Sequence, residues 1–397
     1  MVRKNPGRMA MDKVIDVLQQ HDAFVISGHQ DPDGDSLGSS VALGLALEQM
    51  GKRNAIVSAD PGQYGAAEHI KQGVEVRYPR DFPSLQGKPL PRRLQKLARA
   101  MQPYDLVLTY NWGAMDAVMA HTLFTDAMGL PPLIHHEDGF NEDEQERLKT
   151  SRNWYRRIAL GKTSGLVVPS EVLEGIALHA WQQPIGRVKH ISNGIDTAKF
   201  SASPPPDALR GVIKHEGEQW IGALAGLRPV KNLTALVRAV AHLPEGWQLV
   251  IVGEGPQRDS IRDAAEAAGI AHRVHLPGFV ANPASYIGLF DIFALSSRSE
   301  QFPLSVVEAM AAALPVAAPA VGDIAAMVAQ QNEPFIVRPN DETALGEALQ
   351  VLATDPYLRA QIGEANRAKA RKHFDAADMV AAYRRLYDSA LGAGVIR

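Results

Sequence analysis

The length, charge and composition of the chain exclude several classes of protein. A chain of 397 residues is too long for a single domain with one hydrophobic core, so two domains are expected. A net charge of -3 argues against a dedicated nucleic-acid-binding protein, and the lack of cysteine excludes disulfides and thiolate metal sites. The longest apolar stretch, residues 310–321, contains two prolines and is too short to span a bilayer. Because the first residues lack the apolar segment of a signal peptide, we expect a cytoplasmic protein.

The first half of the chain alternates short apolar strands with helices. Strands are predicted to begin at Ala23, Asn54, Asp105, Pro132 and Gly165. Helices are predicted over residues 12–20, 36–50, 91–101 and 141–160. Short apolar strands that are separated by helices indicate a parallel, doubly wound sheet.

A second α/β pattern follows a Pro-rich stretch that begins at Ser201 and reads S-A-S-P-P-P-D. This composition is typical of a linker. The alternation of strands and helices then restarts and ends in an amphipathic helix over residues 376–390. We therefore predict an N-terminal domain over residues 1–200, a C-terminal domain over residues 201–375, and a final helical segment over residues 376–397.

The most informative motif lies in the second domain, where two glutamates frame a turn and the start of an Ala-rich helix. Free backbone N–H groups at a helix N-terminus favour a phosphate group. Carboxylates suit sugar hydroxyls, which donate hydrogen bonds to charged acceptors. The combination predicts a nucleotide-sugar site. Its candidate residues are Glu300, Gln301, Phe302, Pro303, Leu304 and Glu308.

Two further groups of candidate residues follow strands of the second domain. Arg228 and Lys231 come after the strand that ends near Leu224, and two cations at such a place can clamp a pyrophosphate. Gly253 and Gly255 form a tight turn after the next strand, where glycine permits a close approach of the backbone.

These motifs resemble those of the family-4 glycosyltransferases, which are retaining enzymes of the GT-B fold, and the resemblance covers most of the chain. It implies two Rossmann-like domains that face a cleft, the first on the acceptor side and the second binding the donor. Glu300 would then lie beside the donor sugar, Glu308 at the nucleotide ribose, and Arg228 and Lys231 at the diphosphate. The terminal helix would cross back to the first domain.

The resemblance also implies the reaction and its partners. The enzyme would transfer a sugar from a nucleotide-diphosphate-sugar to a hydroxyl group of a glycan or a lipid-linked saccharide, with retention of configuration. It would need neither a metal nor a cofactor, because Arg228, Lys231 and helix dipoles would neutralise the leaving diphosphate. Such a reaction belongs to polysaccharide biosynthesis.

Two more residues receive a role from the resemblance. Phe279 follows a strand near the expected position of the nucleotide base, where it would line the base pocket, and packing in the core is the alternative. His136, with His135 beside it, ends a strand of the first domain and would reach the centre of sugar transfer. A buried histidine that only orients its neighbours is the alternative for His136.

Residues 24–52 depart from the glycosyltransferase pattern. They resemble the first motif of the DHH-family phosphoesterases, which implies manganese ligation by His29, Asp33 and Asp35. The remaining ligands of that family are not visible in the sequence, so we predict a recombined N-terminal segment without a metal site. Two alternatives stay open, a metal-dependent phosphoesterase and a catalytically inactive GT-B scaffold.

Two basic segments of the first domain make an anionic membrane surface a further candidate partner. Basic helices with interfacial aromatic residues bind anionic lipids, and an ordinary solvated helix face is the alternative. The residues concerned are Arg92, Arg93, Lys96, Arg99, Lys149, Arg152, Trp154, Tyr155, Arg156, Arg157 and Lys162.

Overall fold

The computed structural model describes residues 23–28, 53–58, 76–140, 142–144 and 147–392. The helices predicted over residues 12–20 and 36–50 lie outside these ranges, as do His29, Asp33 and Asp35. The chain divides between Asn193 and Gly194 into two compact units, and the residues from Ala376 onward belong to the first unit.

The first unit contains a seven-stranded sheet in which every pair of neighbouring strands is parallel. Its strands are β1 (Ala23–Gly28), β2 (Arg53–Ser58), β3 (Val76–Arg77), β4 (Leu106–Tyr110), β5 (Leu133–His136), β6 (Gly165–Val168) and β7 (Val188–His190). The order β3-β2-β1-β4-β5-β6-β7 reverses its direction between β1 and β4. All residues of β4, β5 and β6 are buried, as expected of a parallel sheet that is covered on both faces.

Four helices of the first unit lie between its described strands. They are α1 (Pro91–Met101), α2 (Met115–Met128), α3 (Thr150–Ala159) and α4 (Glu171–His179). Pro91 occupies the first helical position of α1, where its missing N–H costs nothing. Ser170 caps α4, because its hydroxyl accepts a hydrogen bond from the Leu173 N–H at 3.1 Å. The helix predicted over residues 141–160 is shorter in the structure, since α3 begins only at Thr150.

The second unit contains a six-stranded parallel sheet with the order β10-β9-β8-β11-β12-β13. Its strands are β8 (Gln219–Leu224), β9 (Trp247–Val252), β10 (Val274–Gly278), β11 (Ile292–Ala294), β12 (Val316–Pro319) and β13 (Ile336–Val337). Its helices are α5 (Leu233–Val240), α6 (Arg258–Ala267), α7 (Leu304–Ala311), α8 (Ile324–Met327), α9 (Glu342–Thr354) and α10 (Pro356–His373). Separate apolar clusters lie on the two faces of the sheet, so the predicted doubly wound α/β fold is confirmed.

The Pro-rich stretch from Ser201 packs against the second unit. Phe200, which precedes this stretch, is buried in the core of that unit, and Pro204 packs against Gly288. The boundary between the two units therefore falls before the stretch that the composition predicts as a linker.

The last helix, α11 (Ala376–Ala390), packs on the sheet of the first unit. Its buried face joins residues of β4, β5 and β6 in one apolar cluster. Gly165 of β6 allows this contact, because a Cβ there would lie 3.3 Å from Leu386. None of the described helices is long and apolar enough to cross a membrane.

Candidate active site

The strand order of the second unit brings two loops together. The loop after β8 contains Arg228 and Lys231, and the loop after β11 contains Glu300. Since β8 and β11 are neighbours whose connections run to opposite sides, their carboxyl ends flank the point where the strand order reverses. Ligands of doubly wound sheets bind at this point.

Lys231 and Glu300 form an ion pair across these loops. The Lys231 Nζ lies 2.6 Å from Glu300 Oε1, and the Ser297 hydroxyl donates to the same oxygen at 2.6 Å. The Glu300 side chain is only 6% exposed, so Lys231 compensates a carboxylate that has little contact with water. Arg228, in contrast, has no acidic partner within the part of the chain that the structure describes.

The turn after Glu300 is held by the core of the second unit. Phe302 is buried and its ring meets that of Phe374 edge-on, with 5.5 Å between the centroids. Pro303 is buried too, and Leu304 begins α7. The Phe302 side chain therefore anchors the turn in the core and is not free to contact a ligand. The Gln301 Oε1 is buried and accepts no hydrogen bond from a described residue.

Glu308 lies on α7 and is largely enclosed by protein. Burial raises the pKa of its carboxyl to about 8. Its side chain accepts no hydrogen bond from any of the described residues. Tyr286 lies near enough for the charge of Glu308 to add to the rise of the tyrosine pKa that burial causes. An enclosed carboxyl group without a donor is a favourable partner for ligand hydroxyl groups.

Gly253 and Gly255 allow the loop after β9 to lie against the loop after β8. Both have positive φ angles, 151° and 154°. A Cβ on Gly253 would lie 1.9 Å from the Ala225 carbonyl oxygen, and one on Gly255 would lie 2.7 Å from that of Leu227. The two glycines therefore do permit a close approach of the backbone, and what the backbone approaches is the loop after β8.

Phe279, at the carboxyl end of β10, is 75% exposed. Its alternative reading as a core residue is therefore wrong. An exposed aromatic ring beside the ends of β9 and β10 offers a surface on which a planar ring can stack.

His136 of the first unit is completely buried at the end of β5. The strand order of this sheet reverses between β1 and β4, and β5 is the next strand after β4. Burial lowers its pKa to about 3, so the ring is neutral. Its Nδ1–H donates to the Thr109 carbonyl at 3.2 Å, and its Nε2 accepts from the Tyr387 hydroxyl at 3.2 Å. Because both nitrogens are occupied, the geometry favours the alternative in which His136 orients its neighbours.

A buried ion network follows β5 and is not evident from the sequence. Arg156 is completely buried, with Nε 3.3 Å from Glu137 Oε2 and Nη2 3.2 Å from Glu144 Oε2. Its guanidinium lies over the rings of Trp112, Phe140 and Trp181. Arg156 therefore cannot belong to a basic surface, and its prediction as a membrane contact is wrong. The only signal in the sequence is the group of six acidic residues between positions 137 and 146, which does not reveal which of them will pair with Arg156.

Four of the other eight basic residues of the predicted membrane surface carry acidic partners. Arg93 pairs with Asp116, Lys162 with Asp126, Lys149 with Asp143, and Arg152 with both Asp143 and Glu144. Over the residues for which the structure gives side-chain positions, no group of three His, Asp or Glu side chains is arranged to hold a metal ion.

Comparison with known proteins identifies the family and the fold of the chain. The family model "Glycosyl transferases group 1" matches residues 207–369, and the model "Glycosyltransferase Family 4" matches residues 40–199. The latter match begins inside the segment that resembles the DHH phosphoesterases. The solved structures of Anabaena Alr3699/HepE with UDP and of sucrose-phosphate synthase from Thermosynechococcus elongatus share the fold. Their TM-scores are 0.75 and 0.73, at 21% and 20% identity, over 93% and 94% of this chain and all of theirs. The fold is GT-B.

The 2-deoxystreptamine glucosyltransferase of Streptomyces kanamyceticus is 31% identical over 277 residues, which are 65% of this chain and 70% of that protein. The 2-deoxystreptamine N-acetyl-D-glucosaminyltransferase of Streptomyces fradiae is 30% identical over 174 residues, 38% of this chain and 41% of that protein. The chain belongs to the family-4 glycosyltransferases. It spans about half the length of several relatives that it matches, from 41% to 57%.

We predict that Gly253→Ala lowers the free energy of unfolding of the second unit by about 2–3 kcal/mol, because the new Cβ overlaps the Ala225 carbonyl and φ is positive. Denaturant unfolding measures the change. Gly269→Ala is the matched control, since φ there is 71° but nothing lies within 4 Å of the added Cβ. Equal losses in the two variants would show that the contact between the loops does not matter.

Proposed function

We propose that the protein transfers a sugar from a nucleotide-diphosphate-sugar to a hydroxyl group of a saccharide or lipid-linked acceptor, with retention and without a metal or cofactor. The observation that carries the proposal is the grouping of Arg228, Lys231 and Glu300 at the point where the second sheet reverses its strand order. Cations there suit a diphosphate, and the adjoining carboxylate suits the hydroxyls of the attached sugar.

In this proposal each residue of the second unit contacts one part of the donor. The diphosphate lies against Arg228, whose guanidinium has no acidic partner among the described residues. Sugar hydroxyls donate to Glu300, and the ribose hydroxyls donate to Glu308. The base stacks on the exposed ring of Phe279. When the bond between the anomeric carbon and the diphosphate oxygen breaks, Arg228 and Lys231 neutralise the charge that develops on the leaving diphosphate.

The relatives suggest which donor to test first. The HepE structures hold UDP and UDP-glucose, and the Streptomyces kanamyceticus relative is named a glucosyltransferase. A UDP-hexose is therefore our first candidate donor. A metal-dependent phosphoesterase and an inactive scaffold are less favoured, because both family models that match the chain describe glycosyltransferases.

We expect Arg228→Ala and Glu308→Ala each to weaken UDP binding by about 10- to 100-fold, since each removes a charge-assisted contact worth about 1.5–3 kcal/mol. Titration calorimetry in EDTA measures the affinity. Arg262→Ala is the control, because Arg262 lies on α6 and pairs only with Asp259 within the described residues. Unchanged UDP affinity in both variants would remove the basis for the proposal. Consumption of UDP-glucose with EDTA or with manganese then separates a transferase from a phosphoesterase.

The raised pKa of Glu308 predicts that UDP binding releases a proton near pH 7. The free carboxyl, with a pKa of about 8, is then mostly protonated, whereas hydrogen bonds from ribose hydroxyls favour its charged form. UDP affinity should accordingly rise as the pH increases through about 8. The measurement is the binding enthalpy at pH 7 in buffers of different ionisation enthalpy. Glu308→Gln should abolish the release that is due to this group. Equal release in the variant would contradict the assignment.

We also propose that the first unit contacts an anionic membrane at its cytoplasmic face. Asp116 of α2 joins α1 and α3, because it pairs with Arg93 and accepts from the Tyr155 hydroxyl at 2.6 Å. Helices α1, α2 and α3 thus form one layer. Exposed on these helices are the basic residues Arg92, Lys96, Arg99 and Arg157 and the apolar residues Leu123, Trp154 and Ile158.

This proposal predicts binding to vesicles that contain anionic lipid, and weaker binding as salt is added. The double change Trp154→Ser and Ile158→Ser should reduce it, because both side chains are more than half exposed. Ile213→Ser, an equally exposed position in the second unit, is the control. Sedimentation with vesicles measures the bound fraction. Equal partitioning onto neutral and anionic vesicles at low salt would show that these residues form an ordinary solvated helix face.

A further inference from the structure

The two oxygens of the Glu300 carboxylate are in different situations. Oε1 accepts two short hydrogen bonds, from Lys231 Nζ and from the Ser297 hydroxyl, both at 2.6 Å. Oε2 accepts no hydrogen bond from any residue in the part of the chain that the structure describes. One oxygen is therefore fixed by the protein, and the other keeps its capacity to accept.

The two donors are themselves held in place. Ser297 is buried, with 2% of its surface exposed. The hydroxyl of its neighbour, Ser296, donates to the Lys231 carbonyl at 2.9 Å, and the Arg298 N–H donates to the Val230 carbonyl at 2.8 Å. These two bonds connect the loop after β8 to the loop after β11. The positions of Lys231 and Glu300 are therefore coupled through the backbone and through the side chains.

The backbone of Glu300 is confined from the opposite side. Gly322 has a φ of 55°, and a Cβ on it would lie 2.6 Å from the Glu300 carbonyl oxygen. The Asp323 N–H donates to the Gln301 carbonyl at 3.0 Å. The loop after β12 thus packs directly against the backbone of residues 300–301 and confines it.

From this geometry we infer that Ser297 is a positioning residue for Glu300 and that it acts together with Lys231. Both hold Oε1, so that Oε2 is presented to a hydroxyl group of the donor sugar. The inference rests on the proposed function and deepens it. Lys231 is not committed to the diphosphate alone, because its ammonium group has three protons and uses at least one on Glu300. Arg228 then carries the larger share of diphosphate binding, and Lys231 links the phosphate end of the donor to its sugar end.

A positioning role differs measurably from a purely structural one. Loss of the Ser297 hydroxyl leaves Arg228, Glu308 and Phe279 in place, so the affinity for UDP, which has no sugar beyond the diphosphate, should not change. The turnover of a UDP-sugar should fall, because the carboxylate loses one of the two bonds that orient it. Lys231→Met should reduce both UDP affinity and turnover.

The test compares Ser297→Ala with wild type in UDP affinity and in kcat. The substrate is whichever of UDP-glucose, UDP-N-acetylglucosamine and GDP-mannose wild type consumes fastest. We expect kcat to fall about 10- to 100-fold with UDP affinity within about twofold of wild type. Ser297→Thr, which keeps a hydroxyl, should recover at least part of the loss. Ser299→Ala is the matched control, because Ser299 is the same residue type in the same loop and makes no side-chain hydrogen bond within the described residues.

Each outcome of this test has a definite meaning. Unchanged kcat in Ser297→Ala, or an equal loss in Ser299→Ala, would overturn the positioning role while UDP binding and turnover by wild type still support the proposed function. Parallel losses of UDP affinity, melting temperature and kcat in Ser297→Ala without recovery in Ser297→Thr would show a structural role and also overturn it. If wild type bound neither UDP nor GDP and also consumed none of the three donors, the proposed function itself would be wrong.

Discussion

The reversal of strand order between β8 and β11 is the constraint on which the site of the second unit depends. Parallel strands all present their carboxyl ends at one edge of a sheet, and their loops normally separate as the connecting helices pass to either face. At the reversal two such loops are left side by side. The contacts between Ser296, Ser297, Lys231 and Glu300 exist because the topology places these loops next to each other.

The charged groups of this site differ in whether the protein supplies them with partners, and this difference suits a ligand with chemically distinct parts. Lys231 is neutralised by Glu300, whereas Arg228 has no acidic partner among the described residues. Glu308 is enclosed without a hydrogen-bond donor from those residues, so its ionisation is unfavourable until a donor arrives. Enclosing the Glu308 carboxyl without a donor costs stability in the folded protein. A ligand with hydroxyl groups along its length and negative charge at one end would supply donors to Glu308 and a partner to Arg228.

Local pattern was sufficient to predict the fold, because a doubly wound sheet needs only buried strands that alternate with helices. The Glu300 and Glu308 motif was equally local. What the sequence could not show were contacts between residues far apart in the chain. Lys231 and Glu300 are 69 residues apart, and His136 and Tyr387 are 251 residues apart. Arg156 was misassigned for the same reason, since a helix pattern does not reveal that Glu137 and three aromatic rings will enclose one of its cations.

The packing of α11 on the first sheet has a consequence for folding during synthesis on the ribosome. One face of β4, β5 and β6 packs against Met379, Val380, Tyr383, Leu386 and Tyr387 of this helix. A ribosome completes all of the second unit before it makes these residues, so the first unit emerges earlier yet exposes an apolar sheet face for longer. The usual order of folding from the N-terminus is thereby inverted for its last step. The second unit can become native before the final helix covers this face of the first sheet.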